Sequence, residues 1–382
     1  MTTLVSDNII SSLGLTTREN FDHVKLGKSG LRYYTDYFNM PESFTGSIIA
    51  EKKLNETFRH LPNVTQQKYT PLEKAAILSI SDALKTTDIN PAHKKVLLIL
   101  STTKGNIFLL DPLVNKDYEP DRIYLWRSAE LIAGYFGNPN TPVVVSNACI
   151  SGAQALIAAQ RALQSRKYKH VIVTGVDMLS PFIISGFQSF KALSPSNCKP
   201  FDVNRDGLNL GEAAATMILS DKKEEDVHQG EVILTAGAIR NDANHISGPS
   251  RTGEGAYLAL QQVCSGINTD ELAFINAHGT ATPYNDEMEA IAITRAGLQH
   301  IPVNSLKGYF GHTLGCAGVL ESIMATRSLK ERMVLKTNGL EKQGVSHPLQ
   351  LVTQNQAITK NYCINMLSGF GGCNAVLLWY LR

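Results

Sequence analysis

The sequence predicts an α/β protein of two similar halves, with helices covering both faces of its sheets. Three observations lead there. Beyond the first 65 of the 382 residues, short apolar runs alternate with segments whose apolar residues fall at helical spacing, the pattern of sheets covered by helices. A charged stretch, Asp221–Gly230, divides the chain near its middle, and the strand–helix rhythm resumes after it. Hydrophobic residues make up 43% and charged residues 18%, a globular composition with a large core to bury. The two halves are placed at residues 1–221 and 222–382.

Residues 1–65 are mixed, with basic patches such as Lys25–Lys28 and little periodicity. Pro71 opens a helix, PLEKAAILSISDAL, since proline suits the first helical position. KVLLIL, Lys95–Leu100, reads as a buried strand. A loop with a short helix follows over 102–120, then a helix over Trp126–Phe136, closed by Gly137-Asn138-Pro139. Val143–Val145 reads as a buried strand, followed by the turn Ser146-Asn147-Ala148, by Cys149, and by a helix from about Ser151 to Gln164. Ala153, Ala155, Ala158, Ala159 and Ala162 leave little bulk on any face of that helix, which predicts a central, buried position.

His170–Thr174 is the next strand, 181–193 a helix and loop, 199–212 a turn-rich block, and Ala213–Leu219 a strand. In the second half, strands fall at Glu231–Ala238, Leu272–Ala277, Ile301–Ser305, Tyr362–Leu367 and Ala375–Leu381. Helices fall at Glu254–Gly266, Asp286–Ala296 and Leu314–Leu329.

The net charge of +2 argues against a nucleic-acid partner. The six cysteines form no CxxC pair, so neither a zinc ribbon nor a thioredoxin motif is present. Their scatter suggests reduced thiols in a cytosol. The first residues lack a basic n-region and carry Asp7, which reads against a secretory signal. No apolar run approaches the length of a membrane span.

Candidate chemistry gathers at strand ends. Cys149 lies where a strand turns into a helix, and a helix N-terminus lowers a thiol pKa. The same elbow presents the serine of α/β hydrolases. On this stretch alone a small core cysteine is an equal reading. His278 directly follows an apolar strand, in NAHGTATPYNDEME. Lys307 and His312 lie between a strand and a helix rich in small residues. Three glycines flank Phe370 in NMLSGFGGCN, so its backbone can take angles that expose an amide. Each has a plain alternative: a satisfied core histidine, an ordinary turn. No HExxH or paired carboxylate accompanies HGT, so no metal site is predicted. What the segments share is placement at the C-terminal ends of strands, where α/β sites gather.

Together these segments resemble the β-ketoacyl-acyl-carrier-protein synthases, condensing enzymes of the thiolase fold. NACISG matches the family's nucleophile elbow, HGTAT its HGTGT loop, LKGYFGHTLGCAG its K…GH segment, and SGFGGCN its closing loop. KPFDVNRDGLNLGE, Lys199–Glu212, matches a further block. The matches run in family order from Ser146 to Asn374, with weaker ones at Ser11–Gly14 and Gly27–Gly30. The Cys-His-His set points to the elongating branch.

The resemblance implies a thiolase-like fold of two similar halves in layered α-β-α-β-α order. It implies that Cys149 accepts an acyl chain, that His278 and His312 hydrogen-bond the malonyl thioester carbonyl, and that Lys307 tunes them. The amides of Cys149 and Phe370 would form the oxyanion hole, with Phe370 also the gate to the acyl pocket. Thr280 and Thr282 would line the pantetheine arm, and Glu321 would be structural. No cofactor is implied beyond the phosphopantetheine arm of the acyl carrier protein. The implied partners are that acidic carrier and a second subunit, identical or ketosynthase-like. Lys25, Lys28, Arg161, Arg166, Lys167 and Lys169 are the candidates for a basic ring around the pantetheine tunnel. A non-catalytic chain-length-factor-like subunit is the alternative, but such subunits typically lose the nucleophile. A cysteine hydrolase is a third reading, supported only by the elbow. Ile150, Ser368 and Ala281 depart from the family pattern and suggest a specialised synthase, with Ile150 intruding on the acyl path.

Overall fold

The computed structural model describes residues 1–62, 68–245 and 248–382. Strands in chain order are β1 Thr2–Ser11, β2 Arg32–Tyr34, β3 Phe44–Ser47, β4 Val96–Ser101, β5 Val143–Val145, β6 His170–Asp177, β7 Leu210–Gly211 and β8 Ala213–Asp221. In the second half come β9 Val232–Asn241, β10 Leu272–Asn276, β11 Pro302–Asn304, β12 Met333–Val334, β13 Gln350–Leu351, β14 Gln356–Ala357, β15 Tyr362–Gly369 and β16 Cys373–Leu381. The helices are α1 Thr17–Lys25, α2 Glu51–Arg59, α3 Pro71–Leu84, α4 Leu125–Tyr135, α5 Ser151–Gln164 and α6 Pro181–Ser189, then α7 Glu254–Cys264, α8 Pro283–Arg295, α9 Lys307–Phe310 and α10 Ala317–Lys330.

One large sheet runs β13-β11-β10-β15-β16-β9-β1-β8-β6-β4-β5. Its two halves repeat one pattern. In the first, β4 pairs in parallel with β5 and β6, then β8 and β1 follow antiparallel. In the second, β10 pairs in parallel with β11 and β15, then β16 and β9 follow antiparallel. The halves meet where β1 pairs with β9.

Side-chain alternation along the strands builds the layers. On β4, Leu97 and Ile99 face α5 and α10, while Val96, Leu98 and Leu100 face α3 and α4. On β16, Ala375 and Leu377 join that same central cluster, while Val376 and Leu378 face α7 and α8. The order is therefore α, β, α, β, α, as expected. The alanines of α5 are explained by its neighbour. A Cβ added at Gly318 of α10 would lie 2.2 Å from the Ala153 nitrogen, and one at Gly152 would lie 2.8 Å from the Val319 nitrogen. The central helices touch backbone to backbone, which only small residues permit.

Three expectations change. The N-terminal region is not irregular: β1 lies at the heart of the sheet, paired on both sides. Its period is hidden because it is buried along nearly its whole length, and several of its polar residues find partners inside. Ser6 donates to the Ala83 carbonyl at 2.6 Å, and the Asn8 amide to that of Leu15 at 3.1 Å. Residues 63–65 of that region lie outside the described residues. Second, β5 is an edge strand, with Val143 39% exposed. Third, α10 starts at Ala317, after a turn over Leu314–Cys316. No helix among the described residues is long and apolar enough to cross a membrane.

Candidate active site

The loops after the parallel strands converge. Cys149 follows β5, His278 follows β10, Lys307 follows β11, and Phe370 follows β15. The turn before Cys149 is held by Ser151, whose hydroxyl accepts from the Asn147 N–H at 2.8 Å and donates to the Ala148 carbonyl at 2.6 Å. Ala148 takes φ +45°, a strained value for a residue with a side chain. That kink aims Cys149 at the cleft.

The Cys149 sulfur and a ring nitrogen each of His278 and His312 lie within 4.8 Å of one another, all three residues buried. The imidazoles meet edge to face, with centroids 5.0 Å apart and planes at 87°. Their tautomers follow from their partners. The Leu314 N–H donates to His312 Nδ1 at 3.3 Å, so the His312 proton sits on Nε2. That atom is buried without a hydrogen-bond partner among the described residues. Lys307 Nζ lies 3.3 Å from His278 Nδ1, which leaves the His278 proton on Nε2 as well. Burial first, and the Lys307 charge second, hold both imidazoles well below the usual histidine range. Both are neutral donors at neutral pH.

Lys307 and Glu321 form a buried ion pair at 1% and 3% side-chain exposure. Lys307, His312 and Leu314 all lie on the one connection between β11 and α10. A Cys-His-His set has the donors that suit a soft cation, but the Lys307 side chain beside His278 opposes a second positive charge there.

The thiol itself differs from expectation. Burial pushes Cys149 up to about 11, against the lowering effects of Lys307 and of the hydrogen bond with the Phe370 backbone. Cys149 lies two residues before α5, whose N-cap is Ile150, and burial is the largest influence on its thiol. The resting group is a thiol. A Cβ at Gly369 would lie 3.1 Å from the Cys149 nitrogen, so the two loops carrying the Cys149 and Phe370 amides are in close approach.

A cavity of about 370 Å³ opens onto these groups, lined among others by Thr280, Thr282, Ser368 and Phe370. The Thr280 and Thr282 hydroxyls are 2.9 Å apart. Phe370 is 39% exposed, its ring 5.9 Å from Phe187 and 5.7 Å from Phe190. Ser368 donates to Asn374 Oδ1 at 2.9 Å. Ala281 takes φ +62°, the conformation that a glycine there would adopt freely. Ile150 does not line the cavity; it is fully buried in the central core. None of the six basic candidates lines it either. Arg161 lies ten residues along α5 from Ser151, about 15 Å at 1.5 Å per residue, and the lysine at the mouth is Lys191.

Two acids escaped the sequence reading. Glu289, fully buried, accepts the backbone N–H groups of His278 and Gly279, each at 2.7 Å. Burial pushes it up to about 8. Asp286 accepts from Phe201 at 2.7 Å and from Ala281 at 3.2 Å. Their spacing of three places both on one face of α8, the signal that could have found them.

The descriptions of two family models match this chain: "Beta-ketoacyl synthase, N-terminal domain" over residues 11–225 and "Beta-ketoacyl synthase, C-terminal domain" over 232–341. The chain is 27% identical to a putative mitochondrial 3-oxoacyl-[acyl-carrier-protein] synthase of Schizosaccharomyces pombe, over 96% of each. It is 34% identical to 3-oxoacyl-[acyl-carrier-protein] synthase 2 of Synechocystis, over 63% of this chain and 61% of that protein. Among solved structures, the ishigamide ketosynthase/chain length factor superposes with a TM-score of 0.88 at 23% identity, over 100% of this chain and 99% of that one. The ketosynthase ApeO with its chain length factor ApeC from Xenorhabdus doucetiae gives 0.85 at 24%, over 100% and 98%. At these identities the structures establish the shared fold.

Proposed function

The chain belongs to the β-ketoacyl synthase family, and from that premise we propose how its residues divide the condensation between them. The reaction is a decarboxylative Claisen condensation of an acyl chain with malonyl-acyl carrier protein, giving 3-oxoacyl-acyl carrier protein. Cys149 attacks the carrier thioester; its sulfur bonds the acyl carbon, and the carrier thiol leaves with the proton. The Cys149 and Phe370 amides receive the oxyanion. In the second half-reaction the malonyl carboxylate leaves as carbon dioxide. The enolate oxygen accepts from His278 Nε2–H and His312 Nε2–H. The enolate carbon then attacks the acyl thioester carbon, and the Cys149 thiolate leaves and takes a proton from water to restore the thiol.

The observation that carries these roles is the convergence of one thiol and two neutral, Nε2-protonated imidazoles within 4.8 Å. Neutral donors suit an enolate, because a charged imidazolium would lose its proton to it. Thr280 and Thr282 line the path of the phosphopantetheine arm, the only prosthetic group the scheme uses. Glu321 pairs with Lys307 and holds it in place.

The acyl carrier protein is the donor of both substrates. A second subunit, identical or of the chain-length-factor type, would add to the open edge at β5, where Val143 is exposed. The product class is a fatty acid or a specialised polyene- or polyketide-like chain made in a cytosol. Incubation with acyl-carrier and malonyl-carrier tests the reading: an acyl adduct on Cys149 and a 3-oxoacyl-carrier product are expected. No adduct would support the partner-subunit reading instead.

A further inference from the structure

Asp177 ends strand β6 and is fully buried, and the condensation as described gives it no task. Its carboxylate is nevertheless among the most heavily hydrogen-bonded groups in the protein. It accepts from the Thr102 hydroxyl at 2.7 Å, from the Thr103 N–H at 2.9 Å and hydroxyl at 3.1 Å, and from the Lys104 N–H at 3.4 Å. All of these belong to the loop after β4, in the first half of the chain. One further donor comes from the second half: the Gly315 N–H, at 2.7 Å.

Gly315 sits in the turn that delays the start of α10. The turn is clamped on both sides of this residue, because Ser101, at the end of β4, donates to the Gly315 carbonyl at 3.0 Å. The fit leaves no spare room. A Cβ at Gly315 would lie 2.9 Å from Asp177 Oδ2 and 2.9 Å from the Thr102 Cα. Leu314, just before it, is bent to φ +51°, and its N–H is the donor to His312 Nδ1. The bent backbone that fixes the His312 tautomer is thus held by two side chains from the opposite half.

We propose that Asp177 is a positioning residue for His312: by anchoring Gly315 it holds the Leu314 N–H against His312 Nδ1, so that Nε2 carries the proton and faces the thiol. Strain of this kind persists only when its surroundings over-determine it, and the Asp177–Gly315–Ser101 clamp supplies that constraint. The consequence for turnover rests on the role given to His312 above; the positioning itself does not.

The experiment uses full-length protein with ¹⁵N-labelled histidine. Asp177→Asn replaces one acceptor oxygen with an NH₂ that faces N–H donors. The His312 ring nitrogens should leave the Nε2–H pattern while those of His278 keep it, and malonyl-carrier decarboxylation should fall roughly 10- to 100-fold, the scale of a misplaced catalytic group. Glu73→Gln, at another fully buried carboxylate in the first turn of α3, controls for general damage and should leave the His312 signals unchanged. If Asp177→Asn does not fold, Ser101→Ala loosens the same turn and should shift the same signals. Unchanged His312 signals in a folded Asp177→Asn or, failing that, in Ser101→Ala overturn the proposal. Shifted signals with undiminished decarboxylation uphold it and instead remove His312 from the chemistry.

Discussion

Lys307 Nζ lies 3.3 Å from His278 Nδ1 and donates to the His278 carbonyl oxygen at 3.0 Å. One ammonium thus fixes both the ring and the backbone of the histidine, while Glu321 balances its charge. Lys307→Ala should leave the Glu321 carboxylate buried and unpaired, at a cost of about 3–5 kcal/mol. Lys307→Ala with Glu321→Gln should recover much of that stability but not the decarboxylation rate. The imidazoles, freed of a neighbouring positive charge, should also titrate higher, which moves the acid limb of decarboxylation to higher pH. Denaturant melts and pH–rate profiles measure the two effects separately. A double variant that regains full decarboxylation would show that Lys307 serves stability alone.

The two half-reactions should separate. Cys149→Ala should abolish the acyl adduct and leave some malonyl-carrier decarboxylation. His278→Ala should still acylate Cys149, with decarboxylation reduced on the order of 10²–10³-fold, the usual effect of losing one such donor. Intact mass and carbon dioxide release report the two steps. An acyl adduct on the Cys149→Ala protein would sink the assignment.

Burial raises the Cys149 thiol to about 11. Since only the thiolate reacts with iodoacetamide, alkylation of Cys149 in the free enzyme should climb about tenfold per pH unit from pH 7 to 9. A plateau near pH 7 would mean that the helix terminus outweighs desolvation after all.

Gly369→Ala would place a methyl 3.1 Å from the Cys149 nitrogen. The neighbouring loop must yield by a few tenths of an ångström, and the oxyanion amides must move with it. Acyl transfer should drop by at least tenfold, roughly the effect of 1.4 kcal/mol in the barrier, with little change in melting temperature. Stopped-flow acylation beside a thermal melt is the check.

Ile150→Ala should act on stability. Its side chain is fully buried in the central core and does not line the cavity, so truncation should cost about 2–5 kcal/mol and leave the primer profile unchanged. A broadened profile in a panel of acyl primers would place this side chain on the acyl path.

By itself the sequence determined the helices and strands whose periodicity was clean. The helix over Pro71–Leu84 lies where its apolar spacing put it, and that over Ser151–Gln164 where its run of alanines did. It also determined the family, because five short motifs keep their order, and it marked Cys149, His278, Lys307, His312 and Phe370 as strand-end residues. Such signals are local: a period, a cap or a turn is written in neighbouring residues. Tertiary structure decided the rest. Strand β1 was hidden because a polar residue such as Ser6 is satisfied by a partner distant in sequence, the Ala83 carbonyl. The thiol is pushed up chiefly by desolvation, which depends on what surrounds Cys149 in three dimensions. Asp177, 138 residues from Gly315, carries no motif at all; its contact with the His312 turn exists only because the central helices close the two halves on each other.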